Sequence, residues 1–232
     1  MTAPALARNP ATETAPGRVA ALFDIDNTLL PGATSERLFI RHLILQRHFT
    51  PRAAWGTLVA MARHARIGPF HALRLHRPYL RGWRVADIDA LGAEVFATEI
   101  APRLARRGIA RVREHQEQGH LVALLSGAPP FLTAPLARFL DIADVLATPL
   151  AVANDRYTGE LEGDHPYGEH KALLAERFAR ERGLDLAASY AYADHHSDAR
   201  LLALVGHPVC VNPTPRLRQL AQRFGWPVEE FR

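Results

Sequence analysis

The sequence predicts a doubly wound α/β fold, in which a mostly parallel sheet is flanked by helices and an α-helical segment is inserted after the first strand. Two observations lead to this prediction. From residue 120 onward, short apolar runs typical of buried strands alternate with segments of helical spacing. Between residues 33 and about 115, helical spacing dominates and little strand signal is present.

The first element is a short buried strand that ends in two carboxylates. The apolar residues 19 to 23 lead into Asp24 and Asp26. Residues two apart in a strand point to one face, so the pair would converge at the strand's carboxyl end, where open α/β sheets bind ligands. Carboxylates this close repel unless a cation or a shared proton relieves them. The pair favours a metal site or a nucleophile beside an acid/base; the alternative is a strand followed by a polar turn.

The next segment is predicted to form a cap of four or five helices. Helical spacing and chain breaks alternate along it, with spacing at Leu38, Leu43, Leu45, Leu58, Val59 and Ala62 and breaks at Pro51, Gly68, Pro78 and Gly82. Its last helix is predicted from about Ala101 to Gln118, ended by Gly119.

Beyond residue 119, strands and helices alternate. Strands are predicted at 120–125, 145–148, 189–193 and 208–211, and helices at 130–139, 171–182 and 197–205. Residues 150 to 162 are predicted to form a hairpin with Asn154-Asp155 as its turn. Because the carboxyl ends of parallel strands meet at one edge of a sheet, we expect Asp24, Ser126 and Asp194 to gather there.

Composition narrows the class of protein. The 232 residues, 48% of them hydrophobic, suffice for an α/β domain with a large insertion. No run of 18 or more apolar residues is present, which argues against a membrane span. Residues 1 to 17 lack the features of a secretory signal and are predicted to form a disordered tail. The single cysteine, Cys210, lies in an apolar run and no zinc-ligand spacing is found, so we expect a cytoplasmic protein.

Basic residues are unevenly placed in a chain of formal net charge +4. The stretch from Arg37 to Arg84 holds ten arginines, five histidines and no acid. Such a stretch favours an anionic substrate, a nucleic acid or an anionic membrane surface, or it is a solvated helical face. Few aromatic residues are interleaved and no nucleic-acid-binding motif is found, so no nucleic-acid partner is expected.

Lysine is almost absent from the chain. The 28 basic residues are 27 arginines and one lysine, Lys171. Arginine cannot replace a compact ammonium that must reach one phosphate oxygen in a tight site. Lys171 is therefore a candidate site residue, and the chance survival of a surface lysine is the alternative.

Four motifs occur in order along the chain: Asp-Ile-Asp-Asn-Thr-Leu at 24–29, Leu-Leu-Ser-Gly at 124–127, Lys171, and Ala-Asp-His-His-Ser-Asp at 193–198. Through these motifs the chain resembles the haloacid dehalogenase (HAD) superfamily of phosphatases over residues 19 to 215. Within it, the chain looks closest to the subfamily IB hydrolases, which are phosphoserine-phosphatase-like or histidinol-phosphatase-like. The resemblance implies a Rossmann-like core of residues 18–32 and 116–232 and a helical C1 cap at 33–115.

The resemblance also implies roles for individual residues. Asp24 would be the nucleophile that forms an aspartyl-phosphate, and Asp26 would be the general acid and base. The phosphate ligands would be Thr28, Ser126, Gly127 and Lys171. The Mg²⁺ ligands would be the Asp24 carboxylate, the Asp26 main-chain carbonyl and Asp194. Asp198 would hold Asp194 or a metal-bound water.

The function implied by the resemblance is a Mg²⁺-dependent phosphomonoesterase acting on a small phosphorylated metabolite. A phosphotransferase that uses the same aspartyl-phosphate and a non-catalytic anion-binding module are the alternatives. The sequence indicates no oligomeric state.

The chain departs from the family pattern at two places. His195 and His196 follow Asp194 where many relatives have a small residue, and their role is open. Phosphoserine phosphatases carry a Glu nine residues after the nucleophile that reads the substrate's ammonium, but Ala33 stands there and the nearest acid is Glu36. Substrates of the phosphoserine and histidinol phosphate types both stay open.

Overall fold

Six strands form one parallel sheet, which confirms the predicted fold class. A computed structural model describes residues 17–46, 76–163 and 165–231. The sheet order is β3-β2-β1-β6-β7-β8, with every neighbouring pair parallel. The strands are β1 (Ala20–Phe23), β2 (Leu121–Leu125), β3 (Asp144–Leu146), β6 (Tyr190–Ala193), β7 (His207–Val211) and β8 (Val228–Glu229). The chain therefore winds outward from β1 in both directions.

Helices cover both faces of the sheet. They are α1 (Ser35–Leu45), α2 (Val85–Val95), α3 (Arg106–Glu117), α4 (Pro130–Phe139), α5 (Glu169–Arg182), α6 (Ala199–Leu204) and α7 (Pro215–Phe224). Alternate strand residues face opposite layers: Phe23 and Leu124 belong to one buried cluster, and Leu22 and Leu125 to the other. Two apolar layers therefore enclose the central strands, as the continuous apolar runs of these strands predict.

The cap segment is described in part. It contains α1, α2 and a short 3₁₀ turn at Pro78–Leu80, all between β1 and β2. The helical spacing predicted at Leu58, Val59 and Ala62, the breaks at Pro51 and Gly68, and the predicted tail apart from residue 17 lie outside the described residues. Helix α3, in which the predicted boundary between cap and core falls, packs against β2.

The predicted start of the helix at Ala101 is wrong by five residues. A π-helical turn (Phe96–Ile100) and a 3₁₀ turn (Ala101–Arg103) come first, and α3 begins only at Arg106. The reason lies at Ala105, whose main chain is extended and whose N–H donates to the carbonyl of Leu29 at 2.9 Å. This bond ties the helix start to the loop after β1.

The predicted hairpin is confirmed and it contacts the cap. Strands β4 (Leu150–Ala153) and β5 (Arg156–Leu161) pair antiparallel, and both turn residues, Asn154 and Asp155, have positive φ (50° and 60°). The Arg77 N–H donates to the Gly159 carbonyl and the Gly82 N–H to the Tyr157 carbonyl, each at 2.8 Å. The hairpin therefore joins the core to residues 76–84 of the insertion.

The C-terminal α7 and β8 were not predicted. Helix α5 ends as predicted, at Gly183 in the left-handed region (φ 63°), which favours glycine. Within the described ranges, no helix combines the length and the apolar character needed to cross a bilayer.

Candidate active site

The predicted polar residues follow three adjacent strands at one edge of the sheet. Asp24 follows β1, Ser126 follows β2 and Asp194 follows β6. Main-chain hydrogen bonds fix these positions, because the Asp24 N–H donates to the Tyr192 carbonyl and the Ser126 N–H to the Leu146 carbonyl, each at 3.0 Å. The sheet itself therefore aligns the three motifs.

Lys171 lies between two buried carboxylates. Its Nζ is 2.6 Å from Asp24 Oδ1 and 2.8 Å from Asp198 Oδ2, and the residue is only 3% exposed. Burial alone lowers the pKa of Lys171, but the charges of Asp198 and Asp24 outweigh it and raise the pKa above its ordinary value. The only lysine in the sequence is thus a permanent cation at the centre of the motifs.

Both oxygens of Asp24 are engaged. Oδ1 accepts from Lys171, and Oδ2 accepts from the Thr28 hydroxyl at 3.3 Å. Burial raises the pKa of Asp24 to about 6, although Lys171 lowers it, and the charges of Asp198 and Asp26 raise it further. The carboxylate is held in one orientation at the end of β1, with Thr28 fully buried beside it.

Asp26 lies against the start of α1. Its Oδ1 accepts from the main-chain N–H of Ser35 at 2.8 Å, in the first turn of that helix, where negative charge is stabilised. Burial raises the pKa of Asp26 to about 6, and the bonds to Ser35 oppose that rise. A carboxyl group that titrates near neutral pH can both donate and accept a proton during turnover.

The loop between these two carboxylates and α1 is tightly folded. Asn27 has a positive φ of 59°, which asparagine tolerates better than most residues. Its N–H donates to the Leu30 carbonyl at 3.0 Å, and its carbonyl accepts from Asn212 Nδ2 at 2.8 Å. The turn after β1 is therefore anchored to the segment after β7.

Negative charge exceeds positive charge around Lys171. Burial, followed by the charges of Asp24 and Asp198, raises the pKa of Asp194 to about 8. Within the described ranges, no group of three or more His, Cys, Asp or Glu side chains is arranged to hold a metal ion. A site made from two carboxylates and a main-chain carbonyl needs only two such side chains. Its oxygen-only donors fit a hard cation such as Mg²⁺.

The two histidines after Asp194 form a local turn. His195 Nδ1 accepts from the Ser197 N–H at 3.2 Å, because a main-chain amide can only donate. The His195 and His196 rings lie 4.0 Å apart between centroids. His195 therefore caps the 3₁₀ turn at His196–Asp198 that positions Asp198.

The loop after β2 presents Ser126 and Gly127. Ser126 is 2% exposed, and its Oγ accepts from the Ala128 N–H at 3.2 Å. That bond uses the oxygen as an acceptor and leaves the hydroxyl hydrogen for another partner.

An ion pair between the buried Arg77 and the partly buried Glu36 lies near Asp26 and is not predicted by the sequence. Glu36 Oε1 lies 2.5 Å from Arg77 Nε, accepts from the Tyr79 hydroxyl at 2.5 Å, and raises the pKa of Asp26 through its charge. Burial raises the pKa of Glu36 itself, and Arg77 opposes that rise. The sequence shows only that residues 37–84 contain no acid; that Arg77 is buried, and needs a carboxylate from outside that stretch, is known from the structure alone.

Comparison with known proteins identifies the family. A family model described as haloacid dehalogenase-like hydrolase matches residues 21–203. The phosphoserine phosphatase SerB1 of Mycobacterium tuberculosis (strain H37Rv) is 33% identical over 219 residues, covering 92% of this chain and 71% of the relative. The inhibition of morphological differentiation protein of Streptomyces azureus is 31% identical, covering 92% and 79%. The chain belongs to the haloacid dehalogenase-like hydrolase family, which confirms the resemblance drawn from the four motifs.

Solved structures agree with this assignment. A protein of unknown function from Bordetella pertussis Tohama I superposes with a TM-score of 0.80 at 30% identity, covering 93% of this chain and 100% of the other. A phosphoserine phosphatase solved as a phospho-aspartyl intermediate analogue superposes with a TM-score of 0.61 at 18% identity, covering 88% and 90%. The second likeness shows a shared fold. The chain is an enzyme, a hydrolase of this family.

Proposed function

We propose that this hydrolase is a Mg²⁺-dependent phosphomonoesterase that cleaves a small organic phosphate through an aspartyl-phosphate. The observation that carries the proposal is the buried ammonium of Lys171, held at 2.6 Å from Asp24 and 2.8 Å from Asp198. Such a cation suits a site that must hold a phosphoryl group beside a carboxylate nucleophile. The relatives named as phosphatases support the same reading.

In the first step, an oxygen of Asp24 would attack phosphorus in line with the leaving oxygen. A bond forms between that oxygen and phosphorus, the ester P–O bond breaks, and Asp26 gives its proton to the leaving alkoxide. The pKa of Asp26, about 6, keeps a fraction of this carboxyl protonated near neutral pH. The hydrogen bond from Ser35 keeps it in place at the start of α1.

In the second step, water would attack the phosphorus of the aspartyl-phosphate. Asp26, now ionised, takes a proton from that water, inorganic phosphate leaves, and the Asp24 carboxylate is restored. The oxygens that do not react would be held by the Ser126 hydroxyl, the Gly127 amide and Lys171. Positioning and charge neutralisation provide most of the catalysis in phosphoryl transfer, so these groups suffice.

The site also suits a magnesium ion. The carboxylates of Asp24 and Asp194 and the main-chain carbonyl of Asp26 would hold it, with Asp198 beside them. Burial, and after it the charges of Asp24 and Asp198, raise the pKa of Asp194 to about 8, so a bound cation would favour the ionised form of this carboxyl. When bound, Mg²⁺ would offset charge on the phosphoryl group and on these carboxylates.

The Glu36–Arg77 pair bears on the substrate. A substrate ammonium that approached the Glu36 carboxylate would compete with the buried guanidinium of Arg77 and the Tyr79 hydroxyl. We therefore expect weak selectivity for phosphoserine over phosphate esters that carry no ammonium. A panel of phosphoserine, histidinol phosphate, phosphocholine and glycerol phosphate tests this expectation through kcat/KM.

The central experiment compares Asp24→Asn with the wild-type protein on 4-nitrophenyl phosphate. Phosphate release should require Mg²⁺, stop with chelator, and be lost in Asp24→Asn. The matched control is Asp87→Asn, the same change at an exposed position of α2, which should keep full activity. Wild-type activity in Asp24→Asn would overturn the proposal.

The same assay separates hydrolysis from phosphoryl transfer. Candidate alcohols are added, and phosphorylated alcohol is measured beside free phosphate. A hydrolase releases phosphate in the amount of ester consumed, whereas a phosphotransferase leaves a deficit equal to the new ester. Binding without turnover in either arm would indicate an anion-binding module.

A further inference from the structure

A chain of hydrogen bonds connects His165 to Ser126. His165 Nδ1 lies 2.7 Å from Thr148 Oγ1, which lies 2.6 Å from the Gly127 carbonyl oxygen. The peptide group that begins with this carbonyl ends with the Ala128 N–H, which donates to Ser126 Oγ at 3.2 Å. Residues far apart in sequence therefore meet behind the loop that follows β2.

The direction of each bond is fixed by chemistry. A carbonyl oxygen can only accept, so the single hydroxyl hydrogen of Thr148 goes to Gly127. Thr148 Oγ1 must then accept from His165, which requires the hydrogen on Nδ1 of that ring. The Ala128 N–H can only donate, so Ser126 Oγ accepts and its own hydrogen points elsewhere. Every donor in this series of hydrogen bonds points toward Ser126.

Burial, a further main-chain bond and the packing of the His165 ring hold this series of hydrogen bonds in place. Thr148 is completely buried, and its main-chain N–H donates to the Ala128 carbonyl at 3.1 Å, so one residue binds two successive carbonyls of the loop. The His165 ring lies over Gly127, where a Cβ would come within 2.9 Å of ring atom Cε1 and 3.6 Å of the Pro166 carbonyl oxygen. A side chain at 127 would therefore have to displace the His165 ring, which covers the loop from the side of the segment leading into α5.

We propose that Thr148 and His165 are positioning residues that fix the Ser126 hydroxyl as a donor toward the phosphoryl group. This inference rests on the proposed function, which makes Ser126 a phosphate ligand. Hydrogen bonds arranged head to tail polarise one another, so each link strengthens the next. With its acceptor side occupied by Ala128, the Ser126 hydroxyl is oriented before an anion arrives, which reduces the entropy lost on binding.

The test is the dissociation constant of inorganic phosphate, measured by calorimetry on the Mg²⁺-loaded protein, with no turnover needed. Thr148→Val keeps the branched shape and removes the hydroxyl, and we expect binding about tenfold weaker. Thr148→Ser restores the hydroxyl and should bind within about threefold of wild type. The matched control is Thr133→Val, the same change at a buried position of α4 whose hydroxyl contacts only its own helix.

A double-mutant cycle shows whether the effect passes through Ser126. Ser126→Ala should weaken phosphate binding, and Thr148→Val should add almost nothing in that background. His165→Phe should weaken binding as Thr148→Val does, and His165→Asn, whose amide can donate from the place of Nδ1, should recover it. Thermal melting shows whether Thr148→Val is folded. If it is not, the two His165 variants still test the inference.

Three results would overturn the inference: wild-type phosphate affinity in both Thr148→Val and His165→Phe, full additivity with Ser126→Ala, or no recovery with Thr148→Ser and His165→Asn. The proposed function fails separately. A wild-type protein that binds phosphate but hydrolyses no ester would overturn the proposed phosphatase function. The double-mutant cycle on phosphate binding could still be measured on that protein. An active wild-type protein with unaffected variants would overturn only the positioning role.

Discussion

Lys171 Nζ and Asp24 Oδ1 lie 2.6 Å apart although 147 positions separate the two residues in the chain. The contact joins the first turn of α5 to the end of β1, at the edge of the sheet where the other motifs meet. Asp198, the last residue of the motif at 193–198, binds the same ammonium. One buried ammonium therefore contacts two buried carboxylates at this edge of the sheet.

Replacing Lys171 should abolish activity and weaken the fold. Lys171→Met leaves Asp24 and Asp198 buried without their cation, which should lower the free energy of unfolding by about 3 kcal/mol and kcat by at least about 100-fold. Lys171→Arg should not restore turnover, because the planar guanidinium does not fit a place shaped for an ammonium. Arg180→Met, on the exposed face of the same helix, is the control. Denaturant unfolding and phosphate release measure both effects; full activity in Lys171→Arg would contradict the assignment.

Mg²⁺ should stabilise the protein through Asp194. At 100 times its dissociation constant, a ligand of the native state adds about 2.7 kcal/mol of stability, so the melting temperature of wild type should rise with Mg²⁺. Asp194→Asn removes one proposed ligand and should move half-activation to much higher Mg²⁺ concentration. Chelator should remove the shift in melting temperature in wild type and change little in the variant. An equal Mg²⁺-dependent shift in both proteins would speak against Asp194 as a ligand.

His115 should make the fold sensitive to acid. It is buried, and its ring nitrogens contact the Tyr192 hydroxyl and His120 Nδ1. Burial, with the charges of His120 and Arg111, lowers its pKa from 6.5 to about 4, so the native state resists the proton that the unfolded chain accepts. Stability is therefore fully present above pH 6.5 and is lost as the pH falls toward 4, by up to about 3 kcal/mol.

His115→Gln should flatten this loss, because a glutamine can bond to the same partners and does not titrate. His207→Gln, at an exposed position whose ring stacks on Tyr190, is the control and should keep the wild-type pH profile. Denaturant unfolding across pH 4 to 8 makes the comparison. A variant whose stability falls as steeply as that of wild type would show that another group is responsible.

Removing the carboxylate of Glu36 should weaken the fold. Arg77 is 2% exposed, and Glu36→Gln removes the charge that this guanidinium contacts. Breaking a buried ion pair from one side costs about 3 kcal/mol, measurable by denaturant unfolding. Glu117→Gln, exposed on α3, should cost less than about 0.5 kcal/mol. A Glu36→Gln protein as stable as wild type would show that the pair contributes no net stability.

The fold was predictable where local pattern determines it. The strands at β1, β2, β6 and β7 are short apolar runs that only a buried parallel sheet explains, and the hairpin turn carries two residues that accept positive φ. The start of α3 was not predictable, because the bond from Ala105 to Leu29 that displaces it is a tertiary contact. Helix α7 is strongly amphipathic, so its helical pattern is present in the sequence.

The residues of the candidate site likewise divide into those that the sequence predicts and those that only the folded structure brings together. Lys171 was predicted because a chain rich in arginine kept one lysine, and the structure brings it against Asp24. The partners of Glu36 and of Thr148 were not predictable, because each pair joins segments that meet only in the folded chain. Local motifs predict the candidate reacting groups, whereas the residues that contact and orient them depend on loop packing.

A phosphoryl group detected on Asp24 would identify this residue as the nucleophile of the hydrolase. Enzyme mixed with 4-nitrophenyl phosphate and Mg²⁺ is quenched in acid within one turnover and digested, and the peptides are sequenced by mass spectrometry. We expect phosphate on Asp24 in wild type, more of it in Asp26→Asn because the water then lacks its base, and none in Asp24→Asn. Steady hydrolysis with no phosphorylated peptide, or with phosphate on another residue, would show that Asp24 is not the nucleophile.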